Sequence, residues 1–163
     1  MRAVSNAGPL VHLTRMGRLD ILENIFDEVI IPQTVKVEVV DRGKEKGEPG
    51  AFLIEDAEWI RVAEDPPQAG ELAERAGIHR GEACGILLAR SLNIPVLLDD
   101  SDARKFAIGF GVEVVGSIGL IMKAVKMGLI ARDEGLKDLE KLTGVMWLSV
   151  DVYERARRII ESL

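Results

Sequence analysis

Val96-Leu97-Leu98-Asp99-Asp100-Ser101-Asp102 is a short apolar run, introduced by Pro95, that ends in three carboxylates and passes into a helical pattern. In an open α/β sheet, side chains just beyond the carboxyl end of a strand point into the crevice where ligands bind. Acids placed there can converge on a metal. Two further acids, Glu38 and Glu82, stand at comparable junctions far away in the chain. Whether those acids reach this run depends on the order in which the strands lie side by side.

Apolar runs rich in β-branched residues alternate with longer helical patterns, which is the signature of βαβ units and a parallel sheet. Strands are expected at about Arg2–Ser5, Glu28–Ile31, Trp59–Val62, Pro95–Leu98 and Glu113–Val115. Helices are expected over Pro9–Met16, Leu19–Phe26, Gln33–Val40, Gly81–Leu92 and Ser117–Met127, with Pro32 near the first turn of the third. Gly43–Gly50 reads as an exposed polar loop, and Gly109-Phe110-Gly111 as a turn before the fifth strand. The tail carries Val152, Ala156, Ile159, Ile160 and Leu163 at helical spacing, so a C-terminal helix over about 151–163 is expected to pack on the body or on a second subunit. The fold class expected is α/β: a twisted, five-stranded parallel sheet with helices on both faces, in a single domain spanning residues 1–163.

With 163 residues, 47% of them hydrophobic, the chain can bury a sizeable core. No apolar run approaches the roughly 20 residues of a membrane helix, and the first residues lack the apolar core of a secretory signal, so a soluble, cytoplasmic protein is expected. Cys84, the one cysteine, falls in an apolar helical pattern and reads as a small buried hydrophobe. A net charge of −6 excludes nucleic-acid binding by diffuse attraction, which needs a basic footprint. A local basic rim stays open, from Arg15 and Arg18, Arg42, Lys44 and Lys46, and Arg104 and Lys105, against the alternative of an ordinary solvated surface.

Hard divalent cations take oxygen ligands and keep several waters, so a few carboxylates from separate element ends are sufficient to bind one. Asp100 is the leading ligand candidate, with Asp99 and Asp102 beside it able to bind metal, orient water or cap the following helix. Glu82, in Gly81-Glu82-Ala83, also suits the first turn of a helix, and Glu38, in Val37-Glu38-Val39, also suits a solvated or ion-paired surface. His12 and His79 have no acidic or cysteine partner at ligand spacing, which argues against zinc. No phosphate-binding glycine loop or G-x-S-x-G elbow is present, so nucleotide-triphosphate and serine-hydrolase chemistry lack their motifs.

Taken in order, Val4-Ser5-Asn6-Ala7-Gly8-Pro9-Leu10-Val11, Val29-Ile30-Ile31-Pro32 through Glu38-Val39-Val40, Gly81-Glu82-Ala83 and Leu97-Leu98-Asp99-Asp100-Ser101-Asp102-Ala103-Arg104 resemble the PIN-domain family. The similarity is closest to small prokaryotic PIN-like proteins related to the VapC toxins of toxin-antitoxin pairs. The resemblance implies a three-layer α/β/α fold and an acidic pocket that binds Mg²⁺ or Mn²⁺ and hydrolyses RNA. Position by position, it implies catalytic roles for Asn6, Glu38, Glu82 and Asp100, with Asp102 and Asp99 as supporting metal-site acids. It further implies a homodimer and an antitoxin protein as partner. Asn6 departs from the pattern: its amide oxygen can touch a cation but brings no charge. A catalytically impaired PIN-like module that binds RNA or protein is therefore the alternative.

Overall fold

Five short strands lie side by side in one parallel sheet: β1 Arg2–Ser5, β2 Glu28–Pro32, β3 Ile60–Ala63, β4 Val96–Leu97 and β5 Val114–Val115. The computed structural model describes residues 1–163. The strand order is β3-β2-β1-β4-β5, so the chain builds outward from β1 in one direction and then crosses back to add β4 and β5. Between β1 and β4 the strand order reverses, and the crevice beyond their carboxyl ends is the ligand position of such sheets. Ser5 pairs with Leu97 in the register, which sets Asn6 beside Leu98, one residue before Asp99, on the same rim.

The helices are α1 Ala7–Arg15, α2 Asp20–Ile25, α3 Gln33–Lys36, α4 Arg42–Glu45, α5 Pro49–Asp56, α6 Ala69–Ala76, α7 Arg80–Leu92, α8 Ser101–Gly109, α9 Ser117–Lys126, α10 Arg132–Leu142 and α11 Val150–Ser162, with a π-helix at Val37–Asp41 joining α3 to α4. The period-2 alternation of strand side chains divides the core between two faces. Ala3, Val29, Ile31 and Leu97 join a large cluster with α1, α2, α9 and α10. Val4, Ile30, Val96 and Leu98 face the other way, onto Ile86 and Ala89 of α7 and Ala103 and Ala107 of α8. Both faces of the strands are thus apolar, as a parallel sheet covered by helices requires. The result is the three-layer α/β/α fold.

Ala156 and Ile160 of α11 are buried in the larger cluster, so the C-terminal helix packs on the body through α9 and α10. None of the helices is long and apolar enough to cross a membrane. Three sequence expectations need correction. Gly43–Gly50 is only partly a loop: α4 and the start of α5 take its ends, with Pro49 in the first helical turn, and only residues 46–48 turn between them. Its charge and glycine content suggest a loop throughout, but only Gly47 serves the turn, at φ 71°, while Gly43 and Gly50 serve close packing. A Cβ on Gly43 would meet Ala51 Cβ at 2.8 Å, and one on Gly50 would meet Thr14 Oγ1 at 2.5 Å. The expected helix Gln33–Val40 runs only four residues as α-helix before it widens into the π-helix. Finally, α6 and α10 were absent from the sequence pattern, because each exposes most of its polar residues and buries only a few positions.

Candidate metal centre

Asn6 follows β1 directly, and its backbone N–H donates to Leu97 O at 3.0 Å, tying it to the end of β4. It takes the N-cap position of α1 with extended backbone, yet its side chain caps nothing. The carboxamide is instead turned inward: Asn6 is 6% exposed, and its buried Oδ1 has no hydrogen-bond partner in the protein. A buried acceptor left this way costs about 1–3 kcal/mol. Room for it comes from Gly85 of α7, where a Cβ would lie 2.6 Å from that oxygen. Gly85 was missed in the sequence; its signal was a glycine in a helix interior three residues after Glu82, a position that costs about 1 kcal/mol relative to alanine.

Glu82 stands in the first turn of α7 and is 7% exposed. Its Oε1 accepts the backbone N–H of His79 at 2.8 Å. Burial raises its proton affinity above the ordinary carboxylate range, the His79 hydrogen bond opposes this, and the negative charges of Asp100 and Glu38 add to the rise. Asp100 is the N-cap of α8, with Oδ2 accepting Ala103 N–H at 3.0 Å. The cap uses only this oxygen of the carboxylate and leaves Oδ1 unused by it. Glu38 is exposed on the π-helix, a helix distortion common at functional sites.

Asp99 is a framework residue and does not offer a free carboxylate. Oδ1 accepts Ser117 N–H at 2.7 Å, Oδ2 accepts the Ser117 hydroxyl at 2.6 Å, and His12 Nδ1 lies 2.7 Å from Oδ2. Burial works against its charge, but the hydrogen bonds from His12 and Ser117 prevail and hold its carboxyl below the ordinary range. His12 thus does have an acidic partner, 87 residues away in the chain, where local spacing could not reveal it. Asp102 is exposed in the first turn of α8, where a negative charge complements the helix dipole. Cys84 is buried beside Asp65, and burial together with that carboxylate pushes its thiol up to about 11, so it is inert.

The basic residues divide as well. Arg18 donates to Asp138 at 2.8 Å and also pairs with Asp20 and Glu134. Lys44 pairs with Glu55, and Arg104 Nη1 donates to Leu98 O at 3.0 Å. Arg15 and Lys46 border a cavity that Glu38 also lines.

No three histidine, cysteine, aspartate or glutamate side chains come close enough together to enclose a metal by themselves. The side chains that the resemblance points to offer oxygens alone: Asn6 Oδ1, orphaned and buried, and the carboxylates of Glu82, Asp100 and Glu38. Such a set fits Mg²⁺ or Mn²⁺ held by a few protein oxygens with waters retained, rather than an all-protein cage or a zinc site.

The family model of the PIN domain matches residues 2–162. Among solved structures, the crystal structure of PAE2754 from Pyrobaculum aerophilum shares this fold with a TM-score of 0.55, at 15% sequence identity, over 77% of this chain and 99% of that one. None of the curated proteins matches.

Proposed function

This chain belongs to the PIN-domain family, and from that premise we propose that it is a metal-dependent ribonuclease that hydrolyses RNA phosphodiesters. PIN domains are generally nucleases and typically use divalent metal ions. The observation that carries the proposal is the orphaned, buried Asn6 Oδ1, set against Gly85 on the helix that Glu82 begins. Asn6, Glu38, Glu82 and Asp100 would hold Mg²⁺ or Mn²⁺, which when bound supplies Lewis-acid chemistry at the phosphodiester. Glu82 and Asp100 each commit one oxygen to a helix start and keep the other for the site. Their backbone anchors fix the carboxylates before substrate arrives, so little ordering is left to be done at binding. Arg15 and Lys46 would draw phosphates toward Glu38. A role as the toxin of a toxin-antitoxin pair, with an antitoxin or a second copy as partner, extends the proposal and is supported by the resemblance to VapC-type toxins.

One observation favours the other reading, an impaired PIN-like binding module: Asn6 leaves the set one negative charge short. A single assay separates the two. Purified protein is incubated with mixed RNA in Mg²⁺, Mn²⁺ or EDTA, alongside Asp100→Asn and Glu82→Gln. The ribonuclease predicts metal-dependent cleavage that falls by roughly 100-fold in both variants. Equal cleavage by all three proteins would mark a contaminant and overturn the proposal, whereas RNA binding without cleavage would favour the module.

A further inference from the structure

We infer that the cavity beside Glu38 is a subsite for one unpaired nucleotide of the RNA, next to the phosphate that is cut. The inference rests on the ribonuclease proposal. The cavity is about 460 Å³ and lies between α1, the π-helix, α4 and α5, within the roughly 300–1,000 Å³ of ligand pockets. Val11, Val39 and Ile54 give it apolar walls, while Arg15, Lys46 and Glu48 stand at its polar side. Its shape is built by close backbone approach, since Gly43 and Gly50 admit no Cβ without meeting Ala51 and Thr14.

Each part of a nucleotide has a counterpart here. Aliphatic walls suit the faces of a base, and an Arg guanidinium can stack on a base or bind phosphate. Arg15 is held by Glu48 only at 3.4 Å, with both side chains well exposed, and such a pair contributes little. It can therefore turn to a phosphate at small cost. Glu48 is then free to accept from a base amino group or a ribose hydroxyl. Glu38 lines this cavity and is one of the acids that the ribonuclease proposal assigns to the metal, so on that proposal whatever fills the cavity adjoins the metal centre. A base reaches such a recess only out of its stack, which selects single-stranded or looped RNA. A chain of net charge −6 has no diffuse attraction for nucleic acid, so affinity has to come from local contacts of this kind.

The test is methyl NMR of the full chain, titrated in EDTA with a mixed-sequence single-stranded oligoribonucleotide, with a parallel salt series on Arg15→Ala and Lys46→Ala. Both side chains are exposed, so both variants fold. The subsite predicts saturable shifts of the Val11, Val39 and Ile54 methyls and unmoved methyls of Leu120 in the core. It also predicts weaker binding by each variant, with the slope of log affinity against log salt smaller by about 0.7 per cation removed. RNA binding that leaves the three cavity methyls unmoved, or variants that match the parent, would overturn the subsite while Asp100-dependent cleavage still stood. Saturable cavity shifts in a protein that cuts no RNA would uphold the subsite and count against the ribonuclease. Cavity shifts with an acidic peptide of equal charge, matching those with RNA, would also overturn it.

Discussion

Asn6 occupies the place where the resemblance calls for an acid, and the protein keeps its oxygen buried and unpaired there. Replacing Asn6 with Asp puts a charge at that oxygen. Calorimetric titration with Mn²⁺ is expected to show several-fold tighter binding, and melting without metal a lower Tm, because the new carboxylate is buried without a partner against the helix that carries buried Glu82. An unchanged titration would contradict the placement of Asn6 at the metal. Gly85→Ala is the companion change. Helix propensity alone would favour it by about 1 kcal/mol, but a Cβ 2.6 Å from Asn6 Oδ1 forces the carboxamide aside. Denaturant unfolding should show a net loss of about 1–3 kcal/mol, and a gain would contradict this packing. Asn6 was singled out by the resemblance to the PIN-domain family, and Glu82 and Asp100 were legible as acids at element ends because strand ends and helix starts are local patterns. Gly85 and the His12–Asp99 contact were not, since each depends on a neighbour brought from elsewhere in the fold.

Glu38 depends on a run of three short helical pieces from Gln33 to Glu45, one of them a π-helix, and that run is anchored at its start by a residue from another element. Asp65, in the segment after β3, accepts the backbone N–H of Thr34 at 3.0 Å and the Thr34 hydroxyl as well. A side chain 31 residues away thus supplies the missing cap of α3. Burial opposes the charge of Asp65, and the Thr34 donors outweigh it, so its carboxyl is held below the ordinary range. The sign follows from that depression. The unfolded chain takes up the proton first as pH falls, so the stabilisation is present above about pH 4, the ordinary Asp value, and is lost as pH drops through the lower folded value. Asp65→Ala is expected to cost about 1–2 kcal/mol at pH 7, and urea unfolding at pH 7, 5 and 3 should show the gap to the parent narrowing at acid pH. A gap that stays constant or widens would contradict the cap. The sequence pattern missed α4 and α5 because charged and glycine-rich segments look like loops when seen alone. Here the glycines allow helix to pack on helix and so shape the cavity beside Glu38.

The sheet order sets the ends of β1 and β4 side by side, so Asn6 is tied to Leu97, and α7, packed over the face formed by Val4, Ile30 and Val96, brings Gly85 against the Asn6 side chain. The strand order itself was beyond the sequence pattern, which shows apolar runs but not which run lies beside which. Across the molecule, Arg18 pins the turn after α1 to α10 through Asp138, which is 1% exposed. Arg18→Ala leaves that carboxylate buried without its cation and should lower stability by about 3 kcal/mol in denaturant unfolding. RNA cleavage should persist, because Arg18 serves the scaffold and not the rim of the site; selective loss of cleavage with stability intact would contradict that division. In the proposed centre Asn6, Glu38, Glu82 and Asp100 share one divalent ion. Anomalous diffraction from crystals grown with Mn²⁺ would locate it. A manganese peak is expected in the β1/β4 crevice, bounded by Asn6 Oδ1, Glu38, Glu82 and Asp100 and absent in Asp100→Asn, whereas crystals with no peak there, or with manganese bound only elsewhere, would rule the shared ion out.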